Sequence, residues 1–281
     1  MKQSVPRISI IVAVFNGAKT LQQCIDSVAQ QSYANKELII IDGGSNDGTV
    51  DLLKTNSEQI NYWISEPDSG IYNAWNKGLE QAKGDWICFL GADDYFWDLQ
   101  VLERLSAQLV KLPSSIRVAY GQVMIVNEFG QGLYRIGEPW QKVKKHFNQF
   151  MCIPYTGTMN RRSLFELHGK FNESFRISGD YELLLRELKT NNAFFAQVGI
   201  VAAMRDRGVS SVAANSLLVV SETRRVLEMH GQRLPVWFWL KAMAKSYIKL
   251  MLWGAFGERL AREAIVFYRH IFGLPPFWTK A

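Results

Sequence analysis

Apolar residues along the first ninety positions fall into two alternating rhythms. Ile8 to Val14, Glu37 to Ile41, Tyr62-Trp63-Ile64 and Trp86 to Leu90 are short and nearly continuous apolar runs. Runs of that length read as strands covered on both faces. Between them, Leu21, Cys24, Ile25 and Val28, then Val50, Leu52 and Leu53, then Ile71, Ala74, Trp75, Gly78, Leu79 and Ala82 recur at helical spacing. Asp47 stands where an N-cap would open the second helix, and Gly84 where a C′ glycine would end the third near Lys83. Strand and helix in alternation predict a parallel sheet with right-handed crossovers, hence an α/β, Rossmann-like half.

The rhythm then changes. Asp98 to Lys111 predicts an amphipathic helix through Leu99, Leu102, Leu105 and Leu109, and Val118 to Val126 with Leu133 to Ile136 predicts an antiparallel pair around a turn at 127–132. Pro154 to Met159 reads as loop and strand, Arg161 to Phe165 as the start of a short helix, and 171–178 as a loop. Gly179-Asp180-Tyr181-Glu182 opens a helix through Leu184, Leu185 and Leu188, Ala193 to Ala202 is a strand, and helix resumes after a polar loop at 205–211. The predicted organisation is a catalytic domain at 1–213, split into halves at 1–112 and 113–213, followed by a helical extension at 214–281.

Charge alters this picture mainly in the extension. A net charge of +6 and a pI near 9.2 fit nucleic acid, an anionic membrane or a phosphorylated ligand, so the location of the charge decides. Lys241, Lys245 and Lys249 follow each other at i, i+4, i+8 among Trp237, Trp239, Met243, Tyr247, Met251 and Trp253, and Arg259, Arg262, Arg269 and the closing PPFWTKA continue the basic, aromatic texture. That pattern predicts an interfacial helix on an anionic membrane surface and no nucleic acid; a packed helix with snorkelling lysines is the other reading. Three lysines in its middle argue against a spanning helix. The three scattered cysteines give neither a disulfide framework nor a zinc site, and none of the four histidines has ligand spacing. The N-terminal apolar run is short and lacks a cleavage pattern, so it is expected to be a strand of a cytoplasmic protein that associates peripherally with the inner face of the membrane.

The candidate chemistry sits where the strands stop. Gly91-Ala92-Asp93-Asp94 directly follows a buried strand, and ligands of open α/β sheets bind at carboxyl ends of strands. Adjacent carboxylates repel, and hard oxygen ligands suit Mg²⁺ or Mn²⁺ carried by a diphosphate, while a solvated turn or a helix cap near Asp98 explains them equally well. Asp42 ends another strand before two glycines, as an Asx turn would require. Neither GxGxxG after the first strand nor GxxxxGK[ST] is present, against a dehydrogenase and a P-loop enzyme.

Strand-Phe15-Asn16-Gly17, IDGGSNDGT, SEPDSGIYNAWNKG, GADD and GDYE, in that order, resemble the inverting family 2 glycosyltransferases of GT-A fold, above all bacterial exopolysaccharide enzymes. The likeness covers roughly residues 7 to 210. It implies that Ala13, Phe15 and Asn16 form the first donor loop at the nucleobase and that Asp42 accepts the base N–H. It implies that Asp93 and Asp94 match the DxD-type element for ribose and divalent metal, and that Asp180 matches the general base. Gly91 and Gly179 depart from the acidic residues usual at those places. Asp68, Asn73, Asn76 and Lys77 are expected to order the donor loop, although a solvated helix start explains them nearly as well. N-capping its own helix is the other reading of Asp180, and Arg205 and Arg207 read more readily as solvent-facing than as a diphosphate clamp. The resemblance implies transfer from a nucleotide-diphosphate sugar to a glycan or lipid-linked acceptor. A sugar-1-phosphate nucleotidyltransferase and a non-catalytic nucleotide-binding module are the competing classes.

Overall fold

A computed structural model describes residues 5–206, 208 and 213–271, the backbone alone at 213, 256 and 258–271. The chain divides between Arg205 and Asp206 into two compact units.

In the first unit, β1 (Ile8–Val14), β2 (Lys36–Asp42), β3 (Tyr62–Ser65) and β4 (Trp86–Gly91) form a parallel set in the order β3-β2-β1-β4. The continuous apolar character of β1, β2 and β4 follows from cover on both faces, while β3 at the sheet edge is half-buried throughout. Ile10 and Val12 of β1 join Ile40 and Leu90 in a core with Leu21, Cys24, Ile25 and Val28 of α1 (Leu21–Ala29). Leu102 and Leu105 of α4 (Val101–Leu109) close the same core. The opposite face is met by α3 (Ile71–Gln81). A Cβ on its Gly78 would lie 2.5 Å from Ile11 Cγ2, so glycine lets the helix approach the sheet closely.

Beyond β4 the sheet becomes mixed. β8 (Met159–Arg161) pairs antiparallel with β4 and with β6 (Val118–Val126). β6 then pairs parallel with β9 (Phe194–Arg205) and antiparallel with β7 (Gly132–Ile136), and β9 carries the two-residue β5 (Tyr95–Phe96). Helices α2 (Thr49–Thr55), α5 (Trp140–Phe147), α6 (Arg162–His168) and α7 (Gly179–Leu188) complete the unit. The α/β class and its mostly parallel sheet with flanking helices agree with the sequence reading.

Local expectations fail where a polar side chain or a glycine serves a distant partner. Gly48, at φ 99°, and not Asp47, occupies the N-cap of α2. The Asp47 carboxylate instead accepts the Thr49 N–H at 3.1 Å and the Ala18 N–H at 3.1 Å, tying two loops together. Gly84 is no C′ glycine, since α3 ends at an extended Ala82. A Cβ on Gly84 would lie 2.6 Å from the Ser9 nitrogen, so close packing on β1 is what requires glycine there. On α3 the buried set includes Tyr72 and Asn76, while Ile71 is exposed. Leu99 lies outside α4 and is exposed.

The second unit holds α8 (Ser216–Met229) and α9 (Val236–Ile271), the latter broken at Gly257, whose φ of 74° and ψ of 171° are not helical. Among the described residues no helix is long and apolar enough to cross a membrane. Arg207 and the closing PPFWTKA lie outside the described residues.

Candidate active site

Parallel register brings the candidates to one edge of the sheet. Val14 sits beside Asp42, Ala13 beside Gly91, and Asp42 beside Ser65, so the loops after β1, β2, β3 and β4 emerge together. Asp42 is fully buried, and its Oδ2 accepts N–H donors from Gly44 at 3.2 Å and Ser45 at 3.0 Å and the Ser65 hydroxyl at 2.6 Å. The Ser45 hydroxyl donates to its Oδ1. The Asx turn is therefore present, with Asp42 as the hub of the loop.

The first loop is held to the second. Asn16, left-handed at φ 52°, accepts the Asn46 N–H at 3.0 Å through Oδ1 and donates its own N–H to Ser45 Oγ at 2.7 Å. Phe15 beside it is 67% exposed, an aromatic ring open to solvent at the strand ends. Asp68 accepts the Gly70 N–H at 2.9 Å, and its Oδ2 lies 2.5 Å from where a Gly43 Cβ would stand. Lys77 reaches back to Glu66 at 2.6 Å and to the Pro67 carbonyl at 3.2 Å, so it does fasten the loop that contains Asp68. Asn73 and Asn76 do something else. They donate to Glu173 at 2.9 and 2.7 Å, and Asn76 also exchanges bonds of 3.0 Å with Phe171, binding α3 to the segment ahead of α7.

Asp94 is buried at the end of β4. Its Oδ2 accepts the Thr156 hydroxyl at 2.7 Å, and its Oδ1 faces the Arg205 N–H at 3.3 Å. Burial first, and the neighbouring Asp93 charge second, push its carboxyl up to about 7. Asp93 is raised chiefly by burial, with Arg205 pulling the other way. Arg205 is not the solvent-facing residue expected. Its guanidinium donates to the carbonyls of Asp93 at 3.1 Å and Glu128 at 2.7 Å and to Gln23 Oε1 at 2.7 Å, bracing the carboxylate pair from β9. Nothing in the local sequence distinguishes it, because its partners lie far away along the chain.

A divalent cation fits this donor set. A Cβ on Gly91 would lie 2.9 Å from Asp93 Oδ1 and 3.0 Å from Asp94 Oδ2, so glycine keeps the space beside both carboxylates open. Two carboxylates completed by phosphate oxygens and water are what Mg²⁺ ordinarily takes. Among the described residues no cluster of three or more His, Cys, Asp or Glu side chains accompanies the pair.

Asp180 lies at the start of α7, half-buried, and its Oδ1 accepts the Tyr181 N–H at 2.7 Å and the Tyr72 hydroxyl at 3.2 Å. Its charge also raises the Tyr155 phenol, after burial as the larger cause. Tyr155 is followed by Thr156, which binds Asp94. Tyr72 and Thr156, which the sequence does not single out, thus meet Asp180 and Asp94 over long sequence separations, and Arg205 takes a bracing role from β9.

A parallel sheet whose strand ends gather Asp42, Asp93 and Asp94, continued by a mixed half carrying Asp180, is the architecture of a GT-A glycosyltransferase. Residues 9–167 match glycosyl transferase family 2, and the chain belongs to that family. A PGL/p-HBAD biosynthesis glycosyltransferase of Mycobacterium bovis is 31% identical over 184 residues, 64% of this chain and 69% of the relative. An uncharacterized glycosyltransferase of Rickettsia typhi is 27% identical over 227 residues, covering 77% and 70%. In fold, the chain resembles the mannosyltransferase PcManGT from Pyrobaculum calidifontis, solved in complex with GDP-Man and Mn²⁺, with a TM-score of 0.61 at 15% identity over 97% of this chain and 82% of that one. S. aureus TarS 1-349 in complex with UDP-GlcNAc gives a TM-score of 0.61 at 15% identity, covering 86% and 71%. Family membership favours glycosyl transfer over nucleotidyl transfer.

Proposed function

We propose that the protein moves a sugar from a nucleotide-diphosphate sugar, with inversion, to a hydroxyl of a glycan or lipid-linked acceptor in bacterial polysaccharide assembly. The observation that carries this reading is the placement of Asp93 and the buried Asp94 at the end of β4 within a family 2 fold, with Asp94 held by Thr156 and Asp180 opening α7 against the Tyr72 hydroxyl. Donor complexes of the two fold relatives, one of them with Mn²⁺, support a nucleotide-sugar donor and a divalent cation.

In this mechanism the loops after β1 and β2 take the nucleoside, with Phe15 and Ala13 against the base and the buried Asp42 holding the second loop in shape through Gly44, Ser45 and Ser65. Asp68 and Lys77 order the loop that covers the donor. Asp93 would face the ribose and, with Asp94, would hold Mg²⁺ or Mn²⁺. When bound, that cation supplies Lewis-acid neutralisation of the leaving diphosphate. Asp180 takes the proton of the acceptor hydroxyl as its oxygen bonds to the anomeric carbon, and the bond from that carbon to the diphosphate oxygen breaks with its electron pair leaving on the diphosphate. One displacement inverts the anomeric configuration, and no protein nucleophile is involved.

The exposed apolar and basic face of α9 supports a membrane-borne acceptor and a peripheral position at the inner membrane surface.

The test is a panel of UDP- and GDP-sugars with Mg²⁺, Mn²⁺ or chelator, scored for donor turnover and for the anomeric configuration of the product. Asp180→Asn should spare nucleotide binding and cut transfer about a hundredfold or more, the range for a lost positioned base. Unchanged transfer in that variant, or a product of retained configuration, would defeat the mechanism.

A further inference from the structure

Tyr72 ties Asp180 to the backbone just ahead of it. The hydroxyl lies 2.5 Å from the Ile177 carbonyl and 3.2 Å from Asp180 Oδ1, although 108 positions separate Tyr72 from Asp180. Its ring is only 3% exposed and packs on Trp75 and Phe171, with centroids 5.6 and 5.5 Å away, so the position of the hydroxyl is fixed by packing. Gly179 completes the fit. A Cβ there would lie 2.7 to 2.9 Å from three ring carbons of Tyr72, and no side chain is accommodated without moving the ring. Gly179 is therefore required by close approach and not by its φ.

We propose that Tyr72 is a positioning residue for glycosyl transfer, holding Asp180 in place by sharing one hydroxyl proton between Asp180 Oδ1 and the Ile177 carbonyl. This rests on the reading of Asp180 as the base. A hydroxyl has one proton and two lone pairs, so it serves both states of the carboxyl group. While Asp180 is ionised, the O–H is shared with it. Once Asp180 has taken the acceptor's proton, the O–H turns wholly to Ile177 and its oxygen accepts from the new carboxylic acid. Tyr72 itself stays protonated, because burial first and the Asp180 charge second push its phenol well above the ordinary range. Of the other titratable groups nearby, Tyr155 is likewise raised, Glu173 is engaged by Asn73 and Asn76, and Glu182 on α7 is tied to Arg186 at 3.0 and 3.1 Å.

The test compares Tyr72→Phe, which keeps the ring and removes the hydroxyl, with the wild type and with Asp180→Asn. Transfer is followed with UDP-GlcNAc, UDP-glucose and GDP-mannose, and nucleotide binding by calorimetry with UDP and GDP. Tyr72→Phe should lower kcat about tenfold at unchanged donor KM and nucleotide affinity, as expected when a base is misplaced. The acidic limb of the kcat profile should move upward, because the ionised carboxylate loses a donor. Gly179→Ala, which displaces the same ring, should give the same kcat-only loss and decides the matter if Tyr72→Phe fails to fold. A Tyr72→Phe enzyme with wild-type kcat and pH limb overturns the proposal, provided Asp180→Asn silences transfer. Wild-type transfer by Asp180→Asn would instead remove the base reading, and this proposal with it.

Discussion

Among single residues, the most consequential feature is the carboxyl pKa of Asp94, raised by burial first and by the Asp93 charge second. Its carboxyl moves from an ordinary 3.8 to about 7, so between those values the folded, metal-free chain holds a proton that the unfolded chain has released. The sign follows: this contribution to stability is fully present below about pH 4 and is lost as pH rises through about 7. A bound cation reverses the logic by favouring the ionised form. In chelator, the melting temperature of the wild type should therefore fall, relative to Asp94→Asn, between about pH 5 and pH 7.5. Saturating Mn²⁺ should restore more at pH 7.5 than at pH 5.5, and Asp94→Asn should show no such gain. The same variant should fold normally yet lose metal-dependent turnover, since an amide is a poorer ligand for a hard cation. An equal Mn²⁺ effect on wild type and variant at both pH values would place the cation elsewhere.

At the scale of the element, what the sequence makes legible depends on how far away each residue's partner lies. The strands β1, β2 and β4 announce themselves because both faces are covered and the apolar run has no gaps. Helix α5 is harder to read, since Trp140, Val143 and Phe147 keep helical spacing over only two turns crowded with Lys142, Lys144, Lys145 and His146. Asp42, Asp93 and Asp94 are legible from their positions after strands, whereas Tyr72 and Thr156 are not, because they meet their carboxylates 108 and 62 positions away, and the bracing role of Arg205 is hidden for the same reason. Gly84 shows the same limit in a glycine, whose reason lies on β1. Gly84→Ala would drive a methyl group to within 2.6 Å of the Ser9 nitrogen and hydroxyl and 2.8 Å of the Trp86 carbonyl. Overpacking of this kind costs about 1–3 kcal/mol, and the backbone on two sides gives little room to relax. Urea denaturation should show a lower midpoint at unchanged slope; an unchanged midpoint would mean that the β1–β4 junction yields easily.

At the scale of the whole molecule, the open question is what the exposed face of α9 meets. Trp237, Leu240, Tyr247, Ile248 and Met251 are all exposed, and at 3.6 residues per turn they fall within an arc of roughly 100°. Lys241, Lys245 and Lys249 run along one flank of that arc, while Trp239 and Ser246 are buried on another side. Apolar area beside a basic stripe is the layout of a helix lying in a bilayer interface, where each basic residue near an anionic surface contributes about 1 kcal/mol. That electrostatic part is screened within a Debye length of roughly 10 Å at 0.1 M salt, and the apolar part is not. The two parts therefore separate in one experiment. Cosedimentation of the full chain with phosphatidylserine-containing vesicles should rise with anionic lipid content and fall with salt. Replacing Lys241, Lys245 and Lys249 together by Gln should remove most of that salt dependence. Leu240→Glu with Met251→Glu should weaken binding at every salt concentration, circular dichroism confirming that both variants stay helical. A full-length chain that ignores anionic vesicles at low salt would return α9 to an ordinary helix and leave the acceptor with no argument for a membrane.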